Sequence, residues 1–165
     1  MNDARYKKLV LSQFDAAFAM LEECIRKCPA AHWRKKVGTW QFWHVAYHAL
    51  YGTDGYCVRN HTDWKPHKRF HPGGMDDVMK EFPTRLLSKR TMVDYCAHVR
   101  RKVHASVMKE TARTMAGPAG FPWLSIPRGE LLLYNLRHFQ HHIGQLGASL
   151  RRAKVKTSWR RDATM

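Results

Sequence analysis

The chain has 165 residues, room for one domain and hardly for two. A hydrophobic fraction of 44% is ordinary for a globular protein and excludes global disorder. Charge is the outlier: 29 Lys+Arg against 13 Asp+Glu gives +16, a balance that suits an anionic partner and bears on encounter and solubility rather than on fold.

Apolar residues recur at steps of three and four from Asp3 to about Cys28, through Leu9, Leu11, Phe14, Ala17, Phe18, Leu21 and Ile25. They predict a first helix, which Pro29 stops. A second helix is predicted from Thr39, read as its N-cap, to about Arg59; it carries Trp40, Phe42, Trp43, Val45, Ala46, Ala49 and Leu50. Gly52 and Gly55 weaken its last turns. Asn60 to Gly74, NHTDWKPHKRFHPGG, reads as a long polar loop in which Trp64 and Phe70 are expected to pack down. The third helix is predicted from about Met92 to Ala112, with Thr91 and Asp94 as an approximate capping box. Its apolar stripe is Met92, Tyr95, Cys96, Val99, Val103 and Val107. The segment GPAGFPWLSIP, residues 117–127, is a rigid connector. Pro127 is placed as the first residue of a fourth helix, with Ser125 or Ile126 as its cap, running to about Arg152.

Four amphipathic helices with almost no alternating strand pattern predict an all-α fold, a four-helix bundle with a long loop between helices two and three. Residues 1–153 are assigned to the bundle and residues 154–165, KVKTSWRRDATM, to a loosely held basic tail. The opening MNDARYKK has no apolar leader pattern, and no run approaches the ~20 apolar residues of a membrane span. Cys24, Cys28, Cys57 and Cys96 form no CxxC pair and read as small semi-buried residues in a reducing compartment. A soluble, cytoplasmic protein is expected.

Eleven histidines are the second outlier, and their placement carries the chemistry. On a helical wheel His138 and His142 share the face of Leu131 and Tyr134, with Gln145 and Ser149 in the same sector and His141 at its edge. That face must look into the bundle. An i, i+4 histidine pair is a bidentate metal grip, but an ion needs at least a third protein ligand. The second helix offers His44 and His48, also four apart, on the face of Gln41, Val45 and Gly52. Facing helices of a bundle build metal sites in this way. HxxxH is a loose pattern, and a single histidine on an apolar stripe is more often a satisfied core residue. His61, His67 and His71 read as solvated loop residues, and His32, His98 and His104 as surface residues.

The segment RHFQHHIGQL (Arg137–Leu146), together with TWQFWHVAYHAL (Thr39–Leu50), resembles the DinB-like superfamily of four-helix-bundle metalloenzymes. The landmarks are H-x-x-H-H-x-G-Q on the last helix and a tryptophan, Trp40, eight residues before a histidine, His48. The resemblance runs through nearly the whole chain in helix order. It implies three metal ligands, His48, His138 and His142; His44 is extra to the pattern, and His44 and His141 stand beside it as alternative ligands read from the sequence. It implies a divalent ion, commonly zinc or nickel, a homodimer, and thiol-dependent transferase or isomerase chemistry; DNA binding is not the family's general role.

Three histidines leave a position for water or a thiolate, which a divalent ion activates at neutral pH. Gln145, Tyr134, Asn135 and Glu130 are candidates to orient the imidazoles from behind. The expected function is therefore a metal-dependent enzyme acting on a small molecule, of S-transferase or hydrolase type, with no catalytic residue assigned beyond the ligands. Two other readings stand beside it. One is a nucleic-acid-binding protein using Arg100, Arg101 and Lys102 with Arg151, Arg152, Lys154, Lys156, Arg160, Arg161 and Trp159; no helix-turn-helix, zinc-finger or RNA-recognition signature accompanies that charge. The other is a bundle that holds metal or ligand without turnover. A homodimer is expected to use the less basic aromatic surface around Trp33 and Trp43.

Overall fold

The computed structural model describes residues 3–73 and 85–162. Its long helices are α1 (Asp3–Lys27), α2 (Phe42–Gly55), α3 (Lys89–Lys109) and α5 (Arg128–Arg152), with a short α4 (Ala112–Ala116) before the connector. Both α1 and α2 pack against α3 and α5, so α1 and α2 lie diagonally across an all-α bundle. No helix among the described residues is long and apolar enough to cross a membrane.

The core follows the sequence stripes closely. Phe14 and Phe18 of α1 meet Phe139 of α5, with ring centroids 6.4 and 4.7 Å away. Such tilted aromatic contacts contribute about 0.5–1.5 kcal/mol each beyond their buried area. Val10 rather than Leu9 faces inward; Leu9 is half exposed. All six residues of the predicted third-helix stripe are buried on α3.

Element ends differ where turn chemistry outcompetes the helical pattern. Thr39 caps no helix: Lys36–Val37 (β1) pairs antiparallel with Trp40–Gln41 (β2) across a two-residue turn. Gly38 there has φ +66°, a conformation glycine adopts without a Cβ clash. So α2 starts only at Phe42, and it ends at Gly55 rather than Arg59. The third helix starts earlier than expected, because Ser88 is the residue whose side chain accepts the N–H of Thr91. It ends at Lys109, and Thr111 opens a second capping box that starts α4. Pro127 sits one residue before its expected place, at the cap of α5.

The loop after α2 is described as far as Gly73; Gly74, its predicted end, lies outside the described residues. Phe70 is buried and Trp64 half-buried, as expected, but His71 is fully buried rather than solvated. His32, His98 and His104 are half-buried: His32 bonds the Ser149 hydroxyl, His98 packs on Phe70 and His104 bonds Asp15. Trp33 and Trp43 are core residues, 6% and 4% exposed, so neither offers surface to a second subunit.

The segment after α5 is docked rather than loose as far as it is described; residues 163–165 lie outside the described residues. Lys154, at φ +61°, turns the chain back, and Val155 N–H donates to the Leu150 carbonyl. Ser158 then donates to Glu23 from both its backbone and its hydroxyl, and Lys27 donates to the Lys156 carbonyl. At the other end of the bundle Arg128, 1% exposed, donates to Glu110, to the Val58 carbonyl and to Ser106. That buried guanidinium ties α5, α3 and the end of α2 together.

Candidate metal centre

The inward faces of α2 and α5 meet at His48, His138 and His142, whose ligand atoms all lie within 4.8 Å of one another. His138 and His142 are one turn apart on α5, with ring centroids 4.7 Å apart. His48 comes from α2 and meets His142 edge-on at 4.7 Å and His138 at 5.2 Å. His138 Nε2 and His48 Nε2 are 3.2 Å apart. Two nitrogens on one tetrahedral ion at the usual ~2.05 Å bond length stand ~3.3 Å apart, so this spacing suits a shared cation.

Electrostatics agree with the geometry. Burial, then neighbouring His142 and His48, pushes the His138 imidazole down to about 3. Burial pushes His142 down to about 4, with His48 and His141 adding to it against a hydrogen bond to Gln145 that acts the other way. Burial also lowers His48. All three rings are therefore neutral near pH 7 and present lone pairs rather than charges. At most one proton can lie between the two facing Nε2 atoms, which leaves an electron-rich centre that fits a divalent cation.

The neighbours set ring orientation. His142 Nδ1 pairs with the Gln145 side-chain oxygen at 2.9 Å. As donor there, Nδ1 carries the proton and Nε2 keeps its lone pair for the centre. The Gln145 amide reaches on to His141 Nε2 at 3.1 Å, so His141, exposed, stands behind the glutamine rather than in the cluster. His44 lies outside the three-histidine group and packs against the neighbouring Trp43 ring, centroids 3.8 Å apart. Asn135 is buried and donates to the Thr53 carbonyl. Tyr134 packs edge-on against Tyr56, whose ring in turn faces His138 at 6.5 Å. Glu130 is exposed in the first turn of α5, about two turns from His138.

Two residues complete the site in ways the wheel did not show. Trp40, on β2, lies over His48 and His142 with centroids 5.2 and 6.5 Å away, and walls the cluster. Gly52, one turn after His48, makes room for His138: a Cβ there would lie 2.6 Å from His138 Cε1. The helical spacing of Gly52 from His48 was a signal in the sequence; the hairpin that folds Trp40 back was signalled only by Gly38–Thr39.

A second polar cluster lies under the loop. His71, fully buried, bonds the Tyr47 hydroxyl through Nδ1 and faces the Tyr95 hydroxyl at 3.2 Å through Nε2. Tyr95 also donates to Asp54, 1% exposed, which pairs with Lys102. Burial alone would raise the Asp54 carboxyl; the His71 and Lys102 partners outweigh it and hold it low. Lys102 and Arg100, which pairs with Asp15, are thus engaged within the bundle rather than displayed as bare charge. The thiols are inert by environment: burial pushes Cys24 and Cys96 up to about 12 and Cys28 to about 11.

A family model described as the DinB superfamily matches residues 13–146, well over half of the chain, and spans every residue of the histidine centre. No curated protein and no solved structure matches the chain.

Proposed function

The chain belongs to the DinB superfamily, and from that premise we propose that it is a divalent-metal-dependent enzyme whose ion, zinc or nickel, is held by His48, His138 and His142. The observation that carries the reading is the convergence of three neutral imidazoles from two helices, with two Nε2 atoms 3.2 Å apart. When bound, a divalent ion supplies acidification of a water or a substrate thiol at its remaining position. The proposed reaction class is accordingly S-transfer or hydrolysis on a small molecule.

The chain's own residues do the rest. His48, His138 and His142 hold the centre. Gln145 takes the Nδ1 proton of His142 in a hydrogen bond and fixes that ring's tautomer. Trp40 covers one side and limits water. The buried thiols, held protonated, leave the nucleophile to come from water or substrate rather than from the chain's own cysteines. Elemental analysis of untagged protein tests the reading: about one zinc or nickel per chain is expected. Undiminished loading in a His138→Ala/His142→Ala double variant would sink it.

A further inference from the structure

Beside the histidine centre is a shallow pocket of about 140 Å³. Its floor is the last turns of α2, Tyr51, Gly52, Gly55 and Tyr56; its walls are Trp64 from the loop and Phe121 and Trp123 from the connector, with His61 at the rim. Larger grooves exist elsewhere, such as one of about 490 Å³ along α1, but that groove is lined by no residue of α2 or α5, the two helices that carry the histidine centre. Gly52 belongs to both features: it lines the pocket, and His138 packs where its side chain would be.

The sequence leaves this space open by using glycine. A Cβ on Gly55 would meet nothing within 4 Å, so at that position the floor is bare backbone. The walls are rings set edge to face: Tyr51 on Trp64 at 90°, Tyr56 on Phe121 at 72°, Phe121 on Trp123 at 61°. Trp64 is held in place from behind by His71, centroids 5.4 Å apart, which is itself bonded to Tyr47. Gly120, at φ +87°, lets the connector pass against the Arg59 carbonyl, and its own carbonyl accepts from His61 N–H; these contacts bring Phe121 and Trp123 to the loop.

We infer that this pocket seats one uncharged planar ring, an aromatic group of the substrate that the histidine centre acts on; this rests on the metal-centre reading above. Three observations select that ligand class. The volume matches a single ring, since an apolar cavity of about 150 Å³ accepts benzene. No carboxylate, lysine or arginine lines the pocket among the described residues, so no ion pair fixes a charged guest there. The perpendicular wall rings present alternate faces and edges, which a flat aromatic guest continues. A chain of net charge +16 further disfavours a cationic guest despite the aromatic walls.

The test uses full-length protein and three probes: benzyl alcohol, tetramethylammonium and acetate, followed by saturation-transfer NMR and calorimetry. Benzyl alcohol should bind and the two ions should not. Gly55→Leu, which fills the floor, should weaken benzyl alcohol about tenfold or more, while zinc uptake stays at the wild-type level. Trp123→Ala, at a position 62% exposed and safe for folding, should weaken it as well. Preference for tetramethylammonium or acetate, or equal benzyl alcohol binding by wild type and both variants, overturns the inference. Zinc uptake is scored separately: a chain that takes up no zinc yet binds benzyl alcohol through Gly55 and Trp123 retains the ring site and removes the metal reading. A chain that takes up zinc but ignores benzyl alcohol does the reverse.

Discussion

Gly52 has no side chain where the imidazole of His138 lies; a Cβ there would fall 2.6 Å from Cε1 and 3.2 Å from Nδ1. The contact is with a side chain that can swing, so a methyl group moves the histidine rather than the helix. Gly52→Ala should therefore fold, gaining some helix propensity, yet bind zinc about 10–100-fold more weakly, the size of effect seen when ligand support is lost. Competition against a chromophoric chelator measures it. Unchanged affinity would mean that His138 does not hold the ion.

His44 and His48 offer a sharp pair. Both are half-buried on α2, but only His48 joins the cluster. An ion at a free concentration 100 times its dissociation constant stabilises the folded state by about 2.7 kcal/mol. Thermal melts with and without zinc should show that gain for wild type and for His44→Ala, and little of it for His48→Ala. The opposite ranking would move the ligand to His44.

Proton counting tests the electrostatics. His138 and His142 are held down at about 3 and about 4, so they are already neutral at about pH 6. Zinc uptake there should release almost no protons from them, where ordinary imidazoles at ~6.5 would release a substantial fraction. Calorimetry in two buffers of different ionisation enthalpy reads the number. The same depression has a stability consequence: unfolded histidines take protons below ~6.5 while the folded ones do not. Metal-free protein should hold this stability in full above ~6.5 and lose it as pH falls toward about 3.

Acid should also strike the Arg128–Glu110 pair. Burial alone would raise Glu110; hydrogen bonds from Thr114 and Arg128 and the charges of Arg128 and Arg59 outweigh it and keep the carboxyl below its ordinary 4.5. A depressed folded pKa contributes stability that is present above 4.5 and lost as pH falls through the lower, folded value. Arg128→Met leaves the carboxylate buried without its main partner and should cost about 3–5 kcal/mol at pH 7 in urea unfolding. A loss under ~1 kcal/mol would show that Thr114 and Arg59, which also bond the Glu110 carboxylate, suffice to satisfy it.

The helical stripes were legible because each needs only local periodicity. Phe14, Phe18, Leu21 and Ile25 on α1, and Met92 to Val107 on α3, repeat at the helical step, and a stripe that wide has to be buried. The i, i+4 spacing placed His138 and His142 on one face for the same reason. The element ends were less legible. Thr39 and Thr91 both look like caps, and the choice between Thr91 and Ser88, or between a cap and a hairpin at Gly38–Thr39, depends on which backbone N–H each hydroxyl reaches.

By itself, the sequence determined an all-α bundle and one histidine pair, His138 and His142, on a single face of α5, because side-chain direction along a helix is set by its pitch. That His48 rather than His44 faces this pair was decided by the packing of α2 on α5. Contacts across turns and loops were decided by tertiary structure alone. Trp40 and His48 are eight residues apart, about 12 Å along a continuous helix, yet their ring centroids are 5.2 Å apart because Trp40 lies on a strand that folds back over α2. His71 sits in a stretch as polar as any in the chain, and nothing local marks it as buried. It is buried because Tyr47 and Tyr95, from two different helices, supply both of its hydrogen bonds, and a satisfied imidazole can leave water where an unsatisfied one cannot.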